Sequence, residues 1–560
     1  MLPVAPSVVR LATSAWPADQ SSPILETTVG GVLRDAARLA PDHPALVAAW
    51  PGEPVPRRWS FAELLNDSER TARALLTRFE PGERVAVWAP NSPEWLLLEF
   101  GAALAGVTLV TVNPAYRASE LMFVLKQSRA NGIFLVPEYR GNPMADTLDQ
   151  VKPALPDLRE VVLFSDWEIF CAGGSARQQL PEAKPHDAVQ IEYTSGTTGF
   201  PKGAVLHHRG ITNNGRFWAQ RQRVSAGDVV VNPMPLFHIA GCGLFTLGAI
   251  QALATQVVMP YFDPALQLEL IETERGTVLL GPPTMLIAVL EHPDFATRDL
   301  SSVRSAVSGA STVPPELVRR VEAALNIPLS ITFGQTEASP TITQTRLDDT
   351  PDDRANSIGQ ALPHTEVKIV DPATGKTVRC GVVGELCTRG YHVMHGYFDN
   401  PEATAAAIDA EGWLHTGDLC SMDERGYCYI KGRLKEMIIR GGENIYPREI
   451  EQLLSTHPGV ADVAVVGVPD SKWGEQVAAF VRPAAEHSPN SDELVAFCRE
   501  HLAPHKTPRY WVFVEQFPMT PSGKIQKFRL REQFVTPRSR AARGPTASAA
   551  RARCNMASVL

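Results

Sequence analysis

Two hydrophobic rhythms alternate along the chain from about residue 27 to residue 430. "TTVGGVLRDAARLAP" (27–41) and "FAELLNDSERTARALLTRF" (61–79) repeat their apolar residues at helical spacing. Between such stretches lie short β-rich runs closed by Pro, Gly or Asn: "RVAVWAP", "GIFLVP", "EVVLFS", "VVVNPM", "QVVMPY" and "TVLLGPP". Runs this short and apolar predict strands buried on both faces, as in a largely parallel sheet. Their alternation with helices predicts an α/β fold. "FGAALAGVTLVTV" (100–112) falls short of the ~20 residues a membrane-spanning helix needs, and predicts a buried helix running into a core strand.

The rhythm changes near "YIKGRLKEMIIRGGENIYPREIEQLL" (429–454). Beyond it follow a helix ("REIEQLLSTH"), two strands ("VADVAVVGV", "QVAAFVRP"), a helix ("DELVAFCREHL") and a strand ("YWVFVEQF"). This predicts a compact α+β unit of roughly 100 residues, an ordinary small-domain size. The boundary is placed at Gly432–Lys435. The expected organisation is an N-terminal extension (1–26), a large mostly parallel α/β domain of several subdomains (27–432), a joint (433–435), a small α+β domain (436–535) and a tail (536–560). The tail is Arg, Ala, Ser and Pro with scarcely a core-forming residue, the composition of a disordered basic segment. No internal repeat is visible.

Composition narrows the class without naming it. At 560 residues the chain exceeds one ordinary core, since single cores stop growing beyond ~250–300 residues. A net charge of −8 with no basic stripe outside the tail gives nucleic-acid binding no support. The eight cysteines (171, 242, 380, 387, 420, 428, 498, 554) form no CxxC pair and no finger-like His/Cys spacing. They predict reduced, mostly buried thiols in a cytoplasmic protein. The first 25 residues lack the apolar core of a secretory signal.

One stretch has much to hydrogen-bond with and little to pack: "YTSGTTGFPKGA" (193–204), directly after the alternating "AVQIEY". Glycines let backbone N–H groups turn toward one anion, and hydroxyls and an ammonium add donors, so a strand ending here can hold phosphate. Taken alone the composition also fits a flexible turn. The Walker spacing is absent, because Gly203 follows Lys202.

The whole string closely resembles the phosphate loop of the adenylate-forming superfamily, which holds acyl-CoA synthetases, luciferases and peptide-synthetase adenylation domains. The superfamily's other stations follow in order: "PLFHIAG" (235–241), "FGQTEASP" (333–340), "GWLHTGDL" (412–419), "GRLKEMIIRGGENIYPREIE" (432–451) and "PSGKIQK" (521–527). The second half, with "VVGVPDSKWGEQV" and "PSGKIQKFRLREQF", is most similar to medium-chain acyl-CoA ligases. The resemblance implies an AMP-binding adenylation domain over 27–432 and the matching C-terminal domain over 436–535. It also implies two half-reactions: a carboxylate attacks the α-phosphate of ATP to give acyl-AMP and pyrophosphate, then the thiol of coenzyme A takes the acyl group and AMP leaves.

A fatty acid, with pKa near ~4, is already ionised at neutral pH, so the first step needs cations rather than a base. By resemblance, Glu337 is the Mg²⁺ ligand and Thr336 bonds the α-phosphate. Thr194, Ser195, Gly196, Thr197, Thr198, Gly199 and Lys202 form the triphosphate loop. Phe333, where the family usually has Tyr, stacks on adenine beside Gly334. Asp418 and Arg433 hold the ribose, and Lys524 sits between the two reacting anions. Taken alone, each has a blander reading: solvated loop residues for Glu337 and Lys524, an Asx-turn for Asp418.

For the second step the family rotates the small domain about a hinge. The resemblance puts that hinge at Lys435 and the CoA side at Gly441, Gly442 and Glu443, whose glycines would let the backbone approach the pantetheine arm. His238, Gly241, Gly309 and Ala310 are expected at the acyl pocket, with Gly309 facing the acyl group and the role of His238 open between packing and gating. Amino-acid-activating relatives place an Asp near Phe237; here none follows before Asp263, and burying an unpaired ammonium is costly. The expected partners are therefore a medium- to long-chain carboxylic acid, ATP and CoA, with a homodimer compatible. Alternatives are delivery to a carrier protein, an aryl or coumarate-type CoA ligase, a luciferase-like oxidation, or an inactive ligand-binding relative.

Overall fold

The structure, a computed structural model, describes residues 10–48, 56–194, 201–484, 489–519 and 525–535. The β-rich runs of the first half become the strands of two sheets. In the first, Glu160–Leu163, Gly132–Leu135, Arg84–Trp88, Thr108–Thr111 and Ala188–Thr194 are neighbours in that order and parallel. Lys202–His207 then turns back antiparallel on Ala188–Thr194, and Gly396–Tyr397 closes that edge.

The second sheet has nine strands. Its centre is parallel: Leu329–Gly334, Ser305–Ser308, Val278–Leu280, Val229–Asn232, Thr255–Val258 and Pro44–Ala48. Antiparallel strands flank it, Arg57–Ser60 at one edge and Thr341–Gln344 with Gln360–Ala361 at the other. The runs are near-continuously apolar because helices cover both faces of such sheets.

The helix Pro93–Ala105 shows how sequence becomes position. Ser92 caps it by accepting from Trp95 N at 3.1 Å, Pro93 occupies the first turn, and Gly106 ends it at φ +68°. Every residue from Trp95 to Ala105 is buried, so the helix is a core element and not an amphipathic one. It runs into the strand Thr108–Thr111, as the sequence predicts. Glu99 is the one buried carboxylate along it.

The expected N-terminal extension is woven in. Ala15–Trp16 pairs antiparallel with Thr365–Val370, the start of a third sheet that continues through Gly384–Gly390, Leu414–Met422 and Cys428–Arg433. Leu25 exchanges two hydrogen bonds of 2.9 Å with the Asn213 side chain. The tail (536–560) lies outside the described residues.

The chain divides into two units, Met1–Thr416 with Ser421–Tyr429, and Gly417–Cys420 with Ile430–Leu560. The second is built on a sheet ordered Glu443–Ile445, Ile438–Arg440, Gly474–Pro483, Val460–Asp470, with Tyr510–Phe513 parallel to Gly474–Pro483. Period-two alternation in the long strands sends Val463, Val465 and Val477 to one face, under Ile450, Leu454 and Leu494. Ala464, Val466 and Phe480 go to the other, under Phe517, Leu530 and Phe534.

Candidate functional site

In the larger unit, the strand Ala188–Thr194 leads into the glycine-rich loop and Lys202–His207 leads out. Thr194 and Lys202 stand opposite each other in register, with Thr194 Oγ1 3.4 Å from the Lys202 carbonyl oxygen. Ser195, Gly196, Thr197, Thr198 and Gly199 lie outside the described residues. Glycine is required at 203 by close approach, since a Cβ there would stand 2.8 Å from Ile191 Cγ2.

Around the loop's exit three residues converge. The Lys202 ammonium sits over the Tyr397 ring, 4.9 Å from its centroid. Tyr397 donates its hydroxyl to Glu337 Oε1 at 2.7 Å. Glu337 and Thr336, both buried, form a short 3₁₀ turn after the strand Leu329–Gly334, and Met394 N donates to the Glu337 carbonyl at 2.9 Å. Burial, reinforced by the Glu337 charge, raises the Tyr397 pKa, so the phenol keeps its proton and stays a donor. No cation pairs with Glu337 among the described residues, and Tyr397 engages one of its two oxygens. A buried carboxylate of this kind fits Mg²⁺, which takes one or two protein oxygens and fills its sphere from phosphates and water. Phe333 is half-buried at the strand end, and a side chain at Gly334 would strike the Pro340 carbonyl.

The acyl-side residues sit where "PMPLFHIAG" (233–241) leaves the strand Val229–Asn232. Asn91 pins this segment, donating to the Met234 and Met259 carbonyls at 3.0 and 2.9 Å and accepting from Leu236 N at 2.7 Å. The half-buried His238 then turns the chain into a π-helical segment, Ala240–Thr246; its carbonyl accepts from Gly241 N at 2.8 Å and Cys242 N at 3.3 Å. Such segments are frequent at functional sites. The missing side chains of Gly241 and Gly309 have packing reasons: substituents there would meet the Pro235 and Thr332 carbonyls. Thr332, rather than open acyl space, therefore fills the side-chain direction at Gly309. Ala310 is exposed at φ +62°.

Beneath His238 lies a buried polar network that sequence reading missed. Cys242 Sγ donates to Glu192 Oε1 at 3.4 Å and approaches Gln190 Oε1 at 3.7 Å, while Gln190 Nε2 donates to Glu99 Oε1 at 2.7 Å. Burial pushes the Glu99 carboxyl up to about 8 and that of Glu192 well above its ordinary value. Burial thus favours the protonated form of both. A signal was present in "AVQIEY", where Gln190 and Glu192 share one strand face amid apolar residues. Nothing local marked Tyr397.

In the smaller unit, buried Asp418 pairs with Arg433, Oδ1 to Nε 3.2 Å. Arg448 packs in the same region, and burial pushes its guanidinium down to about 10. Lys435 is exposed in the 3₁₀ turn Leu434–Glu436. Gly441 and Gly442, at φ +61° and +89°, are the two-residue turn of the hairpin Ile438–Arg440/Glu443–Ile445, and a Cβ on Gly441 would stand 2.5 Å from the Trp473 ring. The hairpin alone accounts for both glycines. Glu443 is exposed beside them. Lys524 lies outside the described residues; its neighbour Ile525 pairs with Met519.

Comparison with known proteins gives this arrangement its relatives. The profile described as "AMP-binding enzyme" matches residues 33–398, and that of the "AMP-binding enzyme C-terminal domain" matches 449–524. YngI of Bacillus subtilis is 42% identical over 541 residues, covering 91% of this chain and 98% of its own. The medium-chain acyl-CoA ligase ACSF2, mitochondrial, of Rattus norvegicus is 39% identical over 549 residues, covering 92% and 88%. Among solved structures, ATP-bound MatB from Rhodopseudomonas palustris superposes with a TM-score of 0.84 at 29% identity, over 91% of this chain and 99% of that one. A Mycobacterium tuberculosis fatty acyl CoA synthetase gives 0.73 at 32% identity, over 90% and 98%.

Proposed function

The chain belongs to the AMP-binding enzyme family, and from that premise we infer that it is an ATP-dependent acid–thiol ligase that converts a fatty acid and coenzyme A into acyl-CoA. In the first half-reaction a carboxylate oxygen attacks the α-phosphorus of ATP, the bond to the β-phosphate breaks, and pyrophosphate leaves. In the second, the CoA sulfur attacks the acyl carbon, the acyl–phosphate C–O bond breaks, and AMP leaves as the thiol gives up its proton.

The observation that carries this reading is the convergence of Lys202, Tyr397 and Glu337 beside the exit of the glycine-rich loop. Two anions must meet in the first step, so the work is neutralisation and alignment. The Lys202 ammonium faces polyphosphate from its seat on the Tyr397 ring. Tyr397 fixes one Glu337 oxygen, leaving the other for Mg²⁺, which would neutralise charge on the departing pyrophosphate. Thr336 offers a hydroxyl from the same turn. Asp418 accepts from the ribose hydroxyls with Arg433 beside it. Lys524 brings its ammonium between carboxylate and α-phosphate, where exclusion of water strengthens it. The rotation that exchanges the two half-reactions turns about 433–435, with Lys435 at the hinge and Gly441–Glu443 on the CoA side.

A medium- to long-chain apolar acid suits the lining. No acidic residue lies between His238 and Phe262 to pair with a substrate ammonium. In the network under His238, burial disfavours charge on both carboxyls. A cytoplasmic setting fits the free thiols of the described cysteines.

A panel of C2 to C18 and aromatic acids tests the reading, with pyrophosphate release and acyl-CoA formation measured together. The expected result is both products with medium- or long-chain acids. Pyrophosphate without acyl-CoA, but with acylation of a carrier's phosphopantetheine, would replace the acceptor; no pyrophosphate with any acid would overturn the activity.

A further inference from the structure

The smaller unit holds an ion triad that the chemistry above does not use. Lys527 Nζ lies 2.8 Å from Glu436 Oε2 and 2.8 Å from Glu451 Oε1, and its side chain is only 20% exposed. Glu436 directly follows the hinge residue Lys435. Glu451 belongs to the helix Pro447–Leu454, where its Oε1 also accepts from Val465 N at 2.6 Å. Lys527 stands three residues after Lys524. The triad therefore joins three places distant in sequence, with 91 residues separating Glu436 from Lys527.

Its position argues that more than packing is served. Lys527 is the first residue of the helix Lys527–Val535, where a cation opposes the helix dipole. A residue placed against local preference needs a compensating gain elsewhere. The two carboxylates give it: although burial pulls the ammonium down, they outweigh it and hold the Lys527 pKa above its ordinary value. Backbone ties complete the anchorage. Met519 pairs with Ile525, Gln526 N donates to the Pro518 carbonyl at 2.8 Å, and Leu530 and Phe534 of the same helix lie in the sheet's core.

We propose that Lys527 is a positioning residue for Lys524: clamped by Glu436 and Glu451, it fastens the chain that resumes directly after Lys524 to the first residue beyond the hinge and to the body of the small domain. The proposal rests on the reading that Lys524 serves adenylation.

The test uses the full chain and measures the half-reactions separately: ATP–pyrophosphate exchange for adenylation, and acyl-CoA formation from supplied acyl-adenylate for transfer. Lys527→Met is expected to lower exchange about 100-fold, the scale set by an ångström-sized misplacement, through kcat and not through KM for ATP. Transfer is expected to stay within about threefold, and Lys527→Arg to restore most of the exchange. Should Lys527→Met fold poorly, Glu436→Gln, which keeps shape and loses charge, is expected to lower exchange more than transfer. Equal loss of both steps in every folded variant, or unchanged exchange, overturns the proposal. Exchange surviving in Lys524→Ala instead overturns the reading beneath it.

Discussion

Two buried polar networks, one in each unit, handle their ionisable groups differently. In the larger one, Glu99 and Glu192 sit among apolar helices and strands, where burial pushes both carboxyls up and they bond to Gln190 and Cys242. In the smaller one, Lys527 stays charged between Glu436 and Glu451, and buried Asp418 pairs with Arg433. The difference follows from the partners at hand. The groups bonded to Glu99 and Glu192 are an amide and a thiol, which do not offset a charge. Lys527 has two carboxylates at 2.8 Å.

The sharpest way to break this comparison is to remove the carried charge. Lys524→Ala is expected to lower ATP–pyrophosphate exchange by about 10³, the upper range for loss of one preorganised donor, while transfer from supplied acyl-adenylate stays within about threefold. Equal loss in both steps would mean the lysine is not confined to one position of a moving body. A smaller effect of opposite sense comes from Lys435→Pro, which restricts φ at the hinge. Transfer should fall about tenfold, on the scale of a slowed conformational step, with exchange nearly unchanged. Parallel losses would remove the hinge.

The mildest effect concerns the larger unit and reports on the neutral network. Glu99 has a folded pKa of about 8, above the unfolded carboxylate value. Between the two the folded state holds a proton that the unfolded state has released. Its contribution is thus full at low pH and lost as pH rises through 8. Thermal stability should fall from pH 5 to pH 9, and Glu99→Gln, neutral at every pH, should flatten that fall by a few degrees while leaving activity near pH 7 intact. A steeper fall in the variant would show that Glu99 is charged in the fold. Glu192 contributes with the same sign, so the flattening is partial.

Legibility followed sequence distance. The valine-rich runs and both long alternating strands of the small unit declare themselves locally, because burial on one or two faces is written into successive residues. The motif order gives the family for the same reason. What escaped are pairings across the fold: Tyr397 meets Glu337 from 60 residues away, and only the strand order makes them neighbours. The N-terminal segment was passed over as an extension because a two-residue strand, Ala15–Trp16, is too short to show a period. Its docking is marked instead at Gly426, where any side chain would strike the Trp16 ring. The glycines at 441 and 442 were noticed for their chemistry and prove necessary for a turn.

The strand Leu414–Met422 has a consequence for dissection. Its middle, Gly417–Cys420, belongs with the small unit while both its ends belong with the large one. The backbone accordingly passes from one unit to the other three times, after Thr416, Cys420 and Tyr429. No single cleavage or truncation liberates either part whole. Fragments meeting at 432 and 433 would leave Asp418 on one piece and its partner Arg433 on the other, so complementation in trans, rather than autonomous folding of halves, is the route by which such pieces could regain activity.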